Sequence, residues 1–215
     1  MLTGRLKEST LDPYVSTVVS VSDLAGLPST FTTGEALGLG VHPRRLYRWR
    51  DRGEIFELSR GVFRRVDAPD ASHPELLGVA HRAPVAVVCL VSAAALHELC
   101  DELPLAVQIA VPRGARSPRI TLSPVEVFHF DALTFQLGLG EVQAAPGEWV
   151  RVYTAARTVV DLMRFRHRIG EPLALGALRR YLASTGARPG LLLDLAGSLD
   201  VLGPVRAAVD VLEAS

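Results

Sequence analysis

The sequence predicts an α+β protein in two parts, with an N-terminal winged helix-turn-helix over residues 1–67 and a larger C-terminal domain of mixed sheet and helices over residues 75–215. Three observations support this prediction. Helical patterns and then a β-hairpin pattern precede residue 67, strand-like and helical runs follow residue 75, and the polar, proline-containing stretch VDAPDASHPE separates them. At 48% hydrophobic and 21% charged residues, the chain has enough apolar material for a packed core.

Two helical patterns open the chain. In residues 11–27, apolar side chains recur at helical spacing until glycine and proline end the pattern. Thr32 then precedes Glu35 by three residues, which is the spacing of a capping box. A short helix is therefore predicted from position 33 to position 37 or 39.

A second short helix and a hairpin are predicted next. The helix should span residues 43–52, because proline suits the first helical position and Gly53 suits the position after a helix end. Two β-prone runs follow, EIFEL and VFRRV, separated by Ser59, Arg60 and Gly61, which is typical of a tight hairpin. Helix, helix, turn, helix and hairpin is the element order of a winged helix-turn-helix.

Beyond the linker, the pattern predicts a sheet followed by helices. PVAVVCLV is interpreted as a strand or helix start, SAAALHEL as a helix, and LAVQIAVP, PVEVFHF and EWVRVY as strands. From Thr154, a suitable N-cap, three helical stretches follow: TAARTVVDLMRFR, LALGALRRYLAS and RPGLLLDLAGSL. The glycine-rich GLGEVQ lacks the spacing of a phosphate-binding loop and is expected to be a turn.

Charge is distributed unevenly, although the net charge of the chain is zero. Residues 1–66 hold ten basic and seven acidic residues, whereas residues 67–215 hold 13 basic and 16 acidic. Within residues 31–66 the numbers are eight basic and four acidic. The N-terminal part is therefore the candidate for contact with a polyanion.

The predicted helix over residues 43–52 has the composition of a DNA-reading element. If Leu46 faces the core, helical geometry places Trp49 on the same side. Arg44 and Arg48 then point directly away, and Arg50 lies near the edge of the core side. Such an arginine-rich face suits guanine edges and phosphates in a major groove, although an ordinary solvated helix face is the alternative. The predicted DNA contacts on the helix and hairpin are Arg44, Arg45, Tyr47, Arg48, Arg52, Arg60, Arg64 and Arg65.

Catalytic and metal chemistry finds little support in the sequence. A restriction-like nuclease would need a lysine beside acidic residues, and no lysine follows Lys7. Cys89, His97 and Cys100 do not match a zinc spacing, and the two cysteines are expected to be free, buried thiols. No catalytic residue, metal site or cofactor is predicted. Because the chain shows neither an apolar run long enough for a membrane span nor a signal-peptide pattern, we expect a cytoplasmic protein.

The stretch FTTGEALGLGVHPRRLYRWRDRGEIFELSRGVFRRV resembles the N-terminal domain of AbiEi antitoxins from type IV toxin-antitoxin systems. In that family a threonine-started helix precedes an arginine-bearing helix, a glycine and a wing that ends in Arg-Gly-aromatic, which here is Arg60, Gly61, Val62 and Phe63. A weaker resemblance extends through VSAAALHELCDELP, VQIAVP and VYTAARTVVDLMR. This sequence departs from many relatives at Pro43 and Trp49, so the operator sequence does not transfer.

The resemblance implies an antitoxin and autorepressor that binds repeats in its own promoter DNA. It also implies a cognate nucleotidyltransferase toxin, which the C-terminal domain would counter without catalysis. Two alternatives remain open. One is a winged-helix regulator whose C-terminal domain senses a small molecule, and the other is an enzyme with a DNA-targeting appendage, against which the lack of a convincing catalytic set weighs.

Two features of the C-terminal domain are ambiguous. Arg157 and Asp161 are four residues apart on a predicted helix, so they are expected either to form a surface ion pair or to anchor the junction of sheet and helix. Seven residues form a second basic cluster, which is interpreted as a solvated helix face or as a contact surface for DNA, the toxin or its RNA substrate. They are Arg164, Arg166, His167, Arg168, Arg179, Arg180 and Arg188.

Overall fold

The computed structural model describes residues 24–213. The first predicted helix, residues 11–27, lies mostly outside them, and its described end forms a short 3-10 helix, Leu24–Gly26.

The N-terminal part contains two helices and a small antiparallel sheet. Strand β1 (Thr30–Thr32) leads into helix α1 (Thr33–Gly38), and helix α2 (Pro43–Asp51) follows after a short turn. Strands β2 (Ile55–Ser59) and β3 (Val62–Arg65) form the hairpin, and the strand order is β1-β3-β2. This arrangement confirms the predicted winged helix-turn-helix, with the β2–β3 hairpin as its wing.

Local hydrogen bonds explain where α1 begins. The Thr32 side chain accepts from the backbone N–H of Glu35 at 3.1 Å, and the Glu35 carboxylate accepts from the backbone N–H of Thr32 at 2.6 Å. The predicted capping box is therefore confirmed. Sequence patterns did not indicate β1, because three residues are too few to show a strand periodicity and its pairing with β3 joins distant parts of the chain.

A small apolar core holds the winged helix together. Leu46 and Trp49 of α2 are buried in it, together with Phe31 of β1 and Phe63 of β3. The rings of these two phenylalanines lie 6.0 Å apart between adjacent strands. The face of α2 opposite this core is therefore left to solvent.

The C-terminal part is built on a five-stranded mixed sheet of order β6-β5-β4-β8-β7. Strands β4 and β8 are parallel, as are β5 and β6, and the other neighbouring pairs are antiparallel. The strands are β4 (Val87–Val88), β5 (Val107–Pro112), β6 (Val125–Phe130), β7 (Leu139–Ala145) and β8 (Glu148–Tyr153).

Helices cover both faces of this sheet. Helix α3 (Pro74–Arg82) packs on the face to which Val88 and Val152 point, whereas Val87 and Tyr153 point to the opposite face and a layer of helices. That layer consists of α4 (Leu90–Leu96), α5 (Ala155–Arg164), α6 (Arg166–Ile169), α7 (Glu171–Ala183), α8 (Pro189–Ser198) and α9 (Leu202–Glu213).

Three expectations for this part need correction. The stretch GLGEVQ belongs largely to β7 and is not a turn. Helix α3 was not predicted, because Pro74 was interpreted as part of an irregular linker although it occupies the first helical turn. Cys89 and Cys100 are free, as predicted, but α4 ends before Cys100, which is only partly buried.

Arg157 anchors the junction of sheet and helix. Its Nε donates to Asp161 Oδ2 at 2.8 Å, and its Nη1 donates to the carbonyl oxygens of Thr134 and Leu137 at 2.9 and 2.6 Å. Both charged residues are fully buried, so the expectation of a surface ion pair is wrong. Burial raises the pKa of Asp161, and the guanidinium groups of Arg157 and Arg164 oppose this effect.

Candidate nucleic-acid interface

Helix α2 presents its basic residues to solvent. The residue before it, His42, caps the helix, since its Nδ1 accepts from the backbone N–H of Arg44 at 3.2 Å. Leu46 and Trp49 hold the opposite face in the core. The exposed side therefore has the orientation that helical geometry predicted.

Three predicted contact residues keep fully available guanidinium groups. Arg44 and Arg48 on α2 and Arg60 in the wing turn are exposed, and none of their guanidinium groups has a hydrogen-bond or ion-pair partner within residues 24–213. Each guanidinium can therefore offer its whole planar set of donors to a phosphate or a guanine edge.

Other exposed residues of this face make weak contacts within the protein. The guanidinium of Arg45 lies 5.4 Å from the ring centroid of Trp49, and Arg52 lies 3.7 Å from the carboxylate of Glu54. Tyr47 is exposed and is covered in part by Arg50 at 5.0 Å. Such contacts at exposed side chains are worth little and leave these groups able to turn towards a ligand.

The wing turn is held against the start of α1. Gly61 has a φ of 74°, in the left-handed region that glycine adopts without strain. Its N–H donates to the Glu57 carboxylate at 2.7 Å, and its carbonyl oxygen accepts from the backbone N–H of Thr33 at 2.9 Å. Arg60 therefore projects from a turn whose backbone is fixed relative to the helices.

Arg64 does not belong to the exposed surface, which corrects the prediction of a DNA contact. It is 2% exposed, its Nη1 donates to the Thr30 hydroxyl at 2.7 Å and to the Glu148 carboxylate, and its Nη2 donates to the Pro69 carbonyl oxygen. Glu148 lies at the start of β8. Arg64 therefore joins the winged helix to the C-terminal sheet.

Arg65 is likewise engaged in the protein, so it is not a free DNA contact. Its Nε and Nη2 donate to the two carboxylate oxygens of Asp67 at 2.8 and 2.7 Å, and its Nη1 donates to the carbonyl oxygen of Leu27 at 2.9 Å. The hydrogen bond from Arg65 lowers the pKa of Asp67. Arg65 therefore links the end of β3 to the segment before β1.

Residues 20–66 match the family described as "Transcriptional regulator, AbiEi antitoxin". This segment is therefore similar to the AbiEi regulator domain, and we call it the AbiEi-type domain. The AbiEi-type domain includes α1, α2 and the wing, so it contains the arginine-bearing face. The resemblance predicted from the sequence is thus confirmed for about a fifth of the chain. No curated protein matches the chain.

Outside the AbiEi-type domain, most of the second basic cluster is engaged in ion pairs. Arg164 lies 3.3 Å from Asp161, and Arg168 lies 2.6 Å from Glu126. Arg166 lies 4.0 Å from the Glu171 carboxylate, and the exposed Arg180 donates to both carboxylate oxygens of Asp101. Exposed cluster members whose side chains have no partner in the described part of the chain are His167, Arg179 and Arg188.

Residues 24–213 contain neither a cluster of metal-ligating side chains nor a helix suited to a membrane. No three of their histidine, cysteine, aspartate or glutamate side chains converge as a metal site would require. No helix in this range is long and apolar enough to cross a membrane.

Proposed function

We propose that this protein is the antitoxin of a type IV toxin-antitoxin system and represses its own operon by binding repeats in the promoter. The AbiEi-type domain supports the regulatory part of this proposal. The observation that carries it furthest is the pair of exposed, unpartnered arginines on α2, Arg44 and Arg48.

In the proposed complex, α2 enters the major groove with its first turn towards the bases. Arg44 and Arg48 are one helical turn apart and can each form a bidentate pair with O6 and N7 of guanine. Arg60, in the wing turn, contacts a phosphate of the backbone, which positions the domain without reading sequence. Leu46 and Trp49 keep α2 rigid by packing its other face.

The C-terminal domain, in this proposal, counters a cognate nucleotidyltransferase toxin and has no catalytic activity of its own. It can act by opposing the toxin's activity or its product, without a tight complex. The contacts of Arg157 and Asp161, its most deeply buried charged pair, support this proposal, because they link β6, β8 and α5 within the fold.

The salt dependence of DNA binding tests the DNA-binding part of this proposal. The full chain is titrated onto duplex DNA from the region upstream of its gene at several salt concentrations. Because arginine contacts to phosphate release counterions, log K should fall linearly with log salt, with a slope of about −0.9 for each neutralised phosphate. A flat salt response, or no binding at low salt, would remove the DNA-binding function.

A regulator that senses a small molecule remains the second candidate, and one cleft favours it. A space of about 420 Å³ lies between the start of α1, α3 and the β7–β8 turn, lined among others by Glu35, His81 and Trp149. Glu148, the partner of Arg64, also lines it. A nucleotidyltransferase gene that overlaps and follows this one would favour the antitoxin.

A further inference from the structure

Three arginines converge on one cleft of the C-terminal domain, away from the basic residues considered so far. Arg82 ends α3, and Arg116 and Arg119 lie in the loop that connects β5 to β6. All three are exposed and line a space of about 420 Å³ together with Ser117 and Pro118. We call this group the arginine cleft.

The loop that carries Arg116 and Arg119 is held in place by the apolar residues beside them. Ala115 and Ile120 pack against a small core that includes Val79 of α3 and Val111 of β5. Because the apolar neighbours point inwards, the two arginines point to solvent. Arg82 adds a contact to this loop, since its Nη2 donates to the Arg119 carbonyl oxygen at 3.4 Å.

The arginine cleft has no compensating negative charge. Across residues 24–213, no carboxylate lies within ion-pairing distance of Arg82, Arg116 or Arg119. Arg168 and Arg180 in the same domain differ, since each pairs with an acidic residue. Three like charges that face one cleft repel one another, and no carboxylate within residues 24–213 neutralises them, so the arrangement fits an anionic ligand.

Contacts through α1 relate this cleft to the AbiEi-type domain. His81, the neighbour of Arg82, lies 4.0 Å from the Glu35 carboxylate in the first turn of α1. Two residues earlier, the backbone N–H of Thr33 donates to the carbonyl oxygen of Gly61 in the wing turn. The arginine cleft and the wing turn are therefore both connected to the same turn of α1.

We propose that the arginine cleft binds the phosphate backbone of duplex DNA outside the segment read by α2. This proposal rests on the DNA-binding function proposed above and extends its footprint to the C-terminal domain. A polyanion fits better than an enclosed small ligand, because the cleft is open and its guanidinium groups are exposed. Contacts of this kind add affinity and salt dependence but no sequence preference.

The test compares charge-removing variants of the full chain on duplexes of two lengths. Arg116→Gln/Arg119→Gln is measured beside Arg206→Gln, a control at an exposed arginine of α9 that belongs neither to the arginine cleft nor to the second basic cluster and whose side chain has no partner in the described residues. On a duplex of about 40 base pairs from the upstream region, the cleft variant should show a salt slope smaller by about 2. On a core duplex of about 20 base pairs, it should bind like the control.

The outcomes separate this inference from the function on which it rests. If the unmodified protein binds the long duplex and the cleft variant keeps the slope of the control, the arginine cleft does not bind DNA although the proposed function stands. If the cleft variant binds DNA normally but loses affinity for a structured RNA, the cleft recognises RNA, which overturns the duplex proposal. Failure of the unmodified protein to bind either duplex overturns both proposals.

Discussion

The exposed face of α2 and the inner side of strand β3 contain the same residue type and use it in opposite ways. The guanidinium groups of Arg44 and Arg48 on α2 have no partner in the described residues, whereas that of Arg64 on β3 is buried among three hydrogen-bond acceptors. Nothing in the residue type distinguishes the arginines of α2 from the arginine of β3. What distinguishes a recognition arginine from a structural one is its partners, and those partners come from the fold.

Removing the N-terminal part, which contains both regions, should give the largest loss of function. A fragment of residues 72–215 lacks α2 and the wing, so it should lose promoter repression completely, while about 140 residues are enough to bury a core of their own. We expect this fragment to fold and to restore growth when the cognate toxin is co-expressed. Circular dichroism, a promoter reporter and growth would be measured together.

Residues 1–70 and the full chain serve as controls for that experiment. Rescue by residues 1–70, with a folded but inactive C-terminal fragment, would contradict the assignment of neutralisation to the C-terminal domain. If only the intact chain rescues, the two parts act together, and the packing around Arg64 and Glu148 would be the first place to look for the reason.

Stability measurements sharpen the comparison between α2 and β3. Arg64→Met removes one partner of a buried ion pair and leaves Glu148 and the Thr30 hydroxyl without their donor, so the free energy of unfolding should fall by about 3 kcal/mol. Arg48→Met, at an exposed position without a partner in residues 24–213, should change it by less than about 0.5 kcal/mol. Urea denaturation of both variants would measure the difference.

A matched second variant checks the cause of the Arg64 effect. Arg64→Met combined with Glu148→Met removes both charges, so part of the lost stability should return. Equal effects of Arg64→Met and Arg48→Met on unfolding would mean that the buried pair does not hold the two parts together.

Local signals explain which elements could be predicted from the sequence. The Thr32 and Glu35 capping box and Pro43 act within a few residues, so the bounds of α1 and α2 were predicted to within one or two residues. The burial of Leu46 and Trp49 follows from helical spacing alone. The orientation of the α2 face could therefore be predicted without knowledge of the fold.

Contacts between distant residues explain the errors. Arg64 was predicted to contact DNA, but its partner Glu148 lies 84 positions away. Strand β1 and the packing of α3 against the wing depend on similar long-range contacts. The arginine cleft also escaped sequence analysis, because Arg82 joins Arg116 and Arg119 only when the β5–β6 loop folds onto α3.

DNA binding by variants of α2 tests the central claim most directly. Arg44→Ala and Arg48→Ala would each be measured on the upstream duplex and on a scrambled duplex of equal length, with urea denaturation to confirm that folding is unchanged. If each side chain reads a guanine, each variant should lose about 1–3 kcal/mol of binding free energy on the upstream duplex and much less on the scrambled one. Unchanged affinity of both folded variants for the upstream duplex would contradict the assignment of α2 as the reading helix.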